Sequence, residues 1–453
     1  MRGQECLRDV KEKSVEKRQV VIIGAGFAGL TAGALLAKKG FKVLVLEEAN
    51  VPGGRARVIE KDGFLLEYGV HSYRYAEKSS AHKVMTELGL TPEWLREGHK
   101  NWLIRGKDLY PIPGGQEKLG EDVKKYFHRA EISRVKDAIE KLITQSPEKC
   151  YHKSLADFAG DLLKDEKARV MLRLIGLQVM EPDPMKVSAG ELIVHLRRAF
   201  EAGVGSAQLK GSSKIFIDRL VSAILESGGE IKYSCKALAV MIDKGAVKLV
   251  DTNMGEIEPE VLLYTAPLTY FFQLAGRENF NEKWVKKVKR IEPVSGVAID
   301  FALREKVTDI KGWLIEPDSG ILGKFPSNLD LGLCPAGKQL SSWVIIIPPE
   351  KIFDPEEVRS GIHQIRSQIK KIFPEFFALV EWERILALPI IDGVALTHKQ
   401  SILDRPGIEV PGVENLFLAG DCVAVQGASG EIAVGSGIKA SEKIADYIGG
   451  RLL

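Results

Sequence analysis

Five cysteines, Cys6, Cys150, Cys235, Cys334 and Cys422, are scattered over 453 residues, an odd number with no C-x-x-C among them. That excludes a disulfide framework or a zinc ribbon and fits a reducing compartment. Charge of one sign is missing too, since 64 basic residues oppose 61 acidic ones. Six basic and four acidic side chains fall in the first 19 residues, so the nearly neutral remainder lacks the footprint of a nucleic-acid binder. G-x-S-x-G and H-E-x-x-H are absent and the eight histidines lie apart, which removes hydrolase and metal-site readings. Repeats and low-complexity tracts are absent. An uncharged stretch, Val20 to Ala37, reaches the ~18-residue lower limit of a membrane span. Three glycines follow four β-formers in it, so it reads as strand, turn and helix. A signal peptide is not expected, because the apolar stretch leads into a second strand and not into a cleavage site.

What remains is a folded composition, 45% hydrophobic and 28% charged, with length enough for two or three structural units. Its informative segment is VVIIGAGFAGLTAGALLAKKGFKVLVLEEANVPGGRAR, Val20 to Arg57. Gly24, Gly26 and Gly29, with Phe27 and Ala28 between them, form G-x-G-x-x-G between a strand and a helix. The first glycine permits a sharp turn, the second lets a pyrophosphate approach the backbone, and the third allows close helix-to-strand packing, with phosphate at the helix N-terminus. The helix Leu30 to Lys39 ends at Gly40, and a second strand, Phe41 to Leu46, delivers Glu47 and Glu48. An acid there accepts hydrogen bonds from an adenosine ribose, so the unit binds a dinucleotide.

Gly53-Gly54-Arg55 follows Glu47 by six to eight residues. This spacing resembles the extended FAD signature of the flavin amine oxidase, protoporphyrinogen oxidase and phytoene (carotenoid) desaturase superfamily, closest in pattern to the phytoene desaturase-like branch. The glycines let the chain pass near the cofactor, and Arg55 can pair with its phosphate charge. The resemblance extends to DGFLLEYGVHSY, where the loop Gly69, Val70, His71 and Ser72 would lie beside the flavin. It resumes in NLFLAGDCVAVQGASGEIAVGSGIKASEKIADYI, Asn415 to Ile448. Gly420-Asp421 matches the family's Gly-Asp pair, whose acid binds the ribityl or phosphate part of FAD. Glu431, Ile432 and Ala433 open a last helix whose dipole would face the flavin's N1/O2 edge.

The resemblance implies an α/β fold, a Rossmann-type, glutathione-reductase-like FAD-binding domain with a helical insertion and a discontinuous α+β substrate domain. Residues 1–19 read as a solvated lead-in. The FAD domain takes 20–75, 212–267 and 414–453, and the backbone at Ala237 would touch the adenine. A mostly helical substrate insertion takes 76–211, with helices Asp122 to Ile143 and Lys167 to Met180. The α+β substrate domain takes 268–413, with strands Ser295 to Leu303 and Ser341 to Ile347. Gly435-Ser-Gly437-Ile-Lys-Ala440 lies too near the C-terminus for a nicotinamide fold, so oxygen, a quinone or another carrier is the expected electron acceptor.

Flavin N5 accepts the hydride in such enzymes, so few protein acids or bases are needed and no catalytic residue is assigned. His71 is either a base or a packed histidine, and Glu431 either acts on substrate or caps its helix. The lysine that amine oxidases of the superfamily place near N5 has no clear counterpart; Arg304 and Lys306 are the nearest. Cys422 stands in the wrong register for flavin attachment, so FAD is expected to be noncovalent. The leading expectation is hydride removal from a lipophilic isoprenoid-, carotenoid- or porphyrinogen-like substrate. The alternatives are an amine or amino-acid oxidase and a flavoprotein with structural or non-redox FAD. A basic segment, Asn281 to Arg290, either presses one face on the core or lies on an anionic bilayer. The expected location is cytoplasmic, with membrane association as the alternative if that segment lies on a bilayer.

Overall fold

A computed structural model describes residues 15–69, 72–96, 100–113 and 126–451. The nucleotide-side sheet has seven strands, in the order Glu230–Lys232, Val43–Leu46, Glu16–Ile23, Gly255–Tyr264, Ala246–Thr252, Ala237–Asp243, with Leu416–Leu418 also on Gly255–Tyr264. Neighbours through the first four are parallel, and Ala237–Thr252 returns as an antiparallel meander. Gly255–Tyr264 serves both parts. Its first residues pair with the meander, while Leu262 to Tyr264 pair in parallel with Leu416 to Leu418. Strand residues Val20, Val21 and Ile22 are fully buried, as a parallel sheet covered on both faces requires.

The first strand begins at Glu16, four residues before the apolar run, which corrects the solvated lead-in over Glu16 to Gln19. Cross-strand charge pairing is the reason. Arg18 reaches Glu230 at 2.7 Å and Lys232 reaches Glu16 at 2.7 Å, so a charged stretch is accommodated at the start of this inner strand.

Helix Phe27–Lys38, alanine- and leucine-rich, is buried at all but its last residue. It packs under helices Ser212–Glu226 and Gly430–Gly449, so the two ends of the chain share one core.

The second sheet runs Val380–Asp392, Val294–Leu303, Gln339–Ile347, Ile321–Lys324, Leu314–Glu316, Lys100–Arg105, Asp108–Pro113. Val297, Ile299, Phe301 and Leu303, at alternate positions of one strand, pack on Ile365 and Ile369 of helix Pro355–Ile372. Ala298 and the alternate residues of neighbouring strands turn to the opposite face. The last two strands, Lys100 to Pro113, come from the insertion expected to be mostly helical. Their hairpin turns at Gly106 (φ +62°) and extends the substrate sheet. The insertion's longer helices among the described residues are Arg129–Ile143, Glu166–Gly176 and Ala189–Ala202. The first was expected from Asp122; residues 122–125 lie outside the described residues, and Tyr126 to His128 are not helical. The second was expected to reach Met180, but the α-helix stops at Gly176 and passes into a short 3₁₀ turn.

Candidate functional site

The nucleotide loop is assembled by backbone contacts. Gly24 turns at φ +106°, and a Cβ on Gly29 would lie 2.0 Å from the Gly24 carbonyl, so the helix can sit this close only with glycine there. A Cβ on Gly26 would instead meet nothing within 4 Å, because its Cα borders a cavity. Helix Phe27–Lys38 starts at Gly26 with no side-chain cap and no acid in its first turn, leaving its N-terminal N–H groups for an anion. Thr265 Oγ1 fixes the loop from the next strand by donating to the Ile23 or Gly24 carbonyls at 2.8 and 3.0 Å. Glu47, buried, accepts from the Ala25 N–H at 2.7 Å and the Ala49 N–H at 2.9 Å. Each of its oxygens retains a lone pair for a ribose hydroxyl. Exposed Glu48 stands beside it, 3.7 Å from Lys236. These features fit a dinucleotide: an uncapped helix end for the pyrophosphate and an acid one strand away for the ribose.

The cavity has a volume of about 1810 Å³. Ordinary ligand pockets hold roughly 300–1,000 Å³, so it has room for a cofactor and a second molecule. Gly24, Gly26, Phe27, Ala28, Glu47, Glu48, Gly53, Gly54, Arg55, Gly69, Ala237, Gly420, Asp421, Glu431 and Ala433 all line it, which brings together segments nearly 400 residues apart. Gly29 and Ile432 lie behind its wall, the latter buried in the core. Val70 and His71 lie outside the described residues.

Two expected cofactor contacts engage one another first. Arg55 donates to both carboxylate oxygens of Asp421, at 2.6 and 2.8 Å, and Asp421 also accepts from the Gly393 N–H at 2.7 Å. A Cβ on Gly393 would lie 2.2 Å from that carboxylate. Burial opposes ionisation of Asp421, but the charge and hydrogen bonds of Arg55 outweigh it and hold the carboxyl below its ordinary value. Arg55 keeps 38% of its side chain open to the cavity.

Glu431 does not cap its own helix. Its carboxylate accepts from the Ser80 N–H at 3.0 Å, the Ser80 hydroxyl at 2.7 Å and Arg198 at 2.6 Å. It therefore ties the start of helix Ser80–Glu87 and the insertion helix Ala189–Ala202 to the last helix. Cys422 is buried, does not line the cavity, and is pushed up to about 12 by burial and the neighbouring Asp421 charge, so it is an inert thiol.

Beyond the nucleotide half, the wall is mostly apolar. The insertion contributes Ile132, Met171, Leu174, Ile175 and Leu196, and the substrate sheet contributes Ala298, Leu322, Val344, Leu386 and Leu388. Arg304 and Lys306 are exposed and do not line it. Among the described lining residues the lysine is Lys236, at the nucleotide end. Asp392 and Arg74 line the cavity and were not singled out from the sequence. The signal for Asp392 was an acid closing the apolar run LALPII just before a glycine.

The basic segment forms helix Glu282–Lys289, capped by Asn281 accepting from the Trp284 N–H at 2.9 Å. Trp284, Val285 and Val288 are buried and Trp284 packs on Phe271 and Phe280, so its apolar face belongs to the core, as the first of the two readings has it. Among the described residues no helix is long and apolar enough to cross a membrane.

Residues 27–445 match the family described as flavin containing amine oxidoreductase. A phytoene desaturase of Fusarium fujikuroi is 21% identical over 403 residues, covering 77% of this chain and 68% of that protein. The human all-trans-retinol 13,14-reductase is 30% identical over 129 residues, 26% of this chain; the match spans 20% of that protein's length. An oxidoreductase of Methanosarcina mazei superposes with a TM-score of 0.78 at 19% identity, covering 94% of this chain and all of that one, which shows the fold.

Proposed function

Because the chain belongs to the flavin containing amine oxidoreductase family and is an FAD-dependent oxidoreductase, we propose that it takes hydride from a lipophilic substrate of isoprenoid or porphyrinogen type, in the manner of a desaturase. FAD supplies a hydride acceptor, the flavin N5. The chain's own residues hold the cofactor noncovalently: the Gly24–Gly29 loop and its helix end take the pyrophosphate, and Glu47 the ribose. Arg55 and Asp421 brace the cavity wall beside that loop, where Gly53 pairs with Gly26. The observation that carries the reading is the cavity's second half, walled by aliphatic side chains of the insertion and of the substrate sheet, with Arg304 and Lys306 pointing elsewhere. Such a wall excludes water and aligns an extended apolar molecule. The phytoene desaturase relative, aligned over most of both chains, supports the same substrate class.

The test is aerobic turnover of the purified protein with phytoene, coproporphyrinogen III or a set of alkylamines, with and without a quinone. Products are identified by chromatography. Loss of hydrogen from phytoene or coproporphyrinogen III is expected, faster with quinone. Turnover of an amine alone would overturn the reading.

A further inference from the structure

The acid Asp392 stands at the junction of the two halves of the cavity, and nothing above gives it a role. It ends strand Val380–Asp392, whose residues Leu386 to Ile391 pave the apolar wall, and it adjoins Gly393, whose N–H holds Asp421. Its Oδ2 accepts from the Ser429 hydroxyl at 2.6 Å. Ser429, immediately before helix Gly430–Gly449, holds φ +55°, a left-handed conformation that a serine rarely adopts, and that strain aims the hydroxyl at the carboxylate.

Four groups from three segments face Asp392: Asp421 and Ser429 from one loop, Arg55 and Arg74. Only one of the two acids can be fully paired. Asp421 takes both terminal nitrogens of Arg55 and the Gly393 N–H, which leaves Asp392 with the serine and the more distant arginine charges. We propose that Asp392 is a catalytic residue of this site, the base that takes a proton from substrate carbon as the adjacent carbon gives up its hydride. The inference rests on the desaturase reading and deepens it. One C–H bond breaks with its electron pair leaving to FAD, the neighbouring C–H breaks with its proton leaving to the Asp392 carboxylate, and a C=C bond forms. The substrate loses two electrons and FAD gains them. Burial, and then the Asp421 charge, lift the Asp392 carboxyl to about 6, against the opposing Ser429 hydrogen bond and the Arg55 and Arg74 charges. A base poised this near neutrality is both mostly ionised and able to hold a proton.

The experiment uses the FAD-loaded full chain and two readouts. The first is the visible absorption of the bound flavin from about pH 4.5 to 8, where a carboxyl ionising in the same cavity shifts the band. Wild type is expected to titrate near pH 6, Asp392→Asn to lose that step, Asp392→Glu to retain one, and Ser429→Ala to move it upward. The second is anaerobic flavin bleaching by micellar phytoene or coproporphyrinogen III. Asp392→Asn is expected to slow it by roughly 10²–10⁴-fold at unchanged FAD content and to flatten its pH profile, with partial rescue by Asp392→Glu. A flat wild-type spectrum, a titration retained in Asp392→Asn, or wild-type bleaching by that variant overturns the proposal. If neither compound bleaches wild type, the substrate reading fails on its own, and the spectral titration still decides whether Asp392 exchanges a proton in the cavity.

Discussion

Two glycines three residues apart, Gly26 and Gly29, fulfil opposite demands in the nucleotide loop and its helix, which separates fold from binding at single positions. Gly24 and Gly29 are in mutual contact, so Gly29→Ala forces a Cβ against the Gly24 carbonyl and displaces helix Phe27–Lys38. Gly26→Val adds its side chain at a position whose Cβ has no atom within 4 Å and which borders the cavity. Gly29→Ala is therefore expected to lower stability by several kcal/mol, on the order of an overpacked core or more. Gly26→Val should leave the denaturation midpoint of the flavin-free protein within about 0.5 kcal/mol of wild type while FAD content falls at least tenfold. Comparable destabilisation by both would contradict this division. These roles were legible in the sequence because glycine mechanics are local. Asp392 was not, because its significance arises from Asp421, Arg55 and Ser429, which only the fold brings to it.

The same residue carries a pH prediction. In the unfolded chain an aspartate titrates near 3.9, and in the fold Asp392 holds its proton up to about 6. The folded state thus binds more protons between those values, and stability declines as pH rises from about 4 to about 6. Asp392→Asn lacks that decline. Its unfolding free energy should exceed wild type by on the order of 1–3 kcal/mol at pH 7.5, and by little at pH 4. Denaturant titrations at the two pH values measure it, and an equal gap at both would refute the assignment.

Among elements, helix Glu282–Lys289 shows how an amphipathic pattern leaves its partner undecided. Lys283, Lys286 and Lys289 face solvent, Lys287 is half-buried, and Trp284 fills a cluster with Phe271, Phe272 and Phe280. Trp284→Ala should cost about 3–5 kcal/mol of stability, as large aromatic truncations in cores do. Binding to anionic vesicles should be unchanged, measured by co-sedimentation on the folded fraction. A variant of wild-type stability that lost vesicle binding would restore the membrane reading. The hairpin Lys100 to Pro113 was invisible for a related reason: it is short, and it becomes sheet by pairing with Leu314–Glu316, more than 200 residues away. Strand Glu16–Ile23 was shortened in the reading because charge usually marks solvent, and here opposite charges meet across strands.

At the scale of the molecule, the helical insertion is joined to the C-terminal part by a fully buried ion pair. Arg405 donates to Glu191 at 2.6 Å, with both side chains 1% exposed or less. Removing one partner strands the other in a low-dielectric interior, a cost of about 3–5 kcal/mol, whereas replacing both by apolar residues of similar size is close to neutral. Arg405→Met is thus expected to unfold at clearly lower denaturant than the double variant Arg405→Met/Glu191→Leu. Equal losses would show that packing, not the stranded charge, sets the cost. Here the sequence supplied the order of segments, since the two cofactor motifs sit at opposite ends of the chain. It could not supply the pairing of segments, which depends on contacts 214 residues apart.

Segments from both ends of the sequence and both insertions meet at one cavity, where the nucleotide loop opens on an aliphatic chamber. The direct test is anaerobic stopped-flow mixing of the FAD-loaded protein with micellar phytoene, coproporphyrinogen III and an alkylamine, following the flavin's visible band. Bleaching by one of the two lipophilic compounds and none by the amine is the predicted result. Bleaching by the amine alone would contradict the account of what this chamber was built to hold.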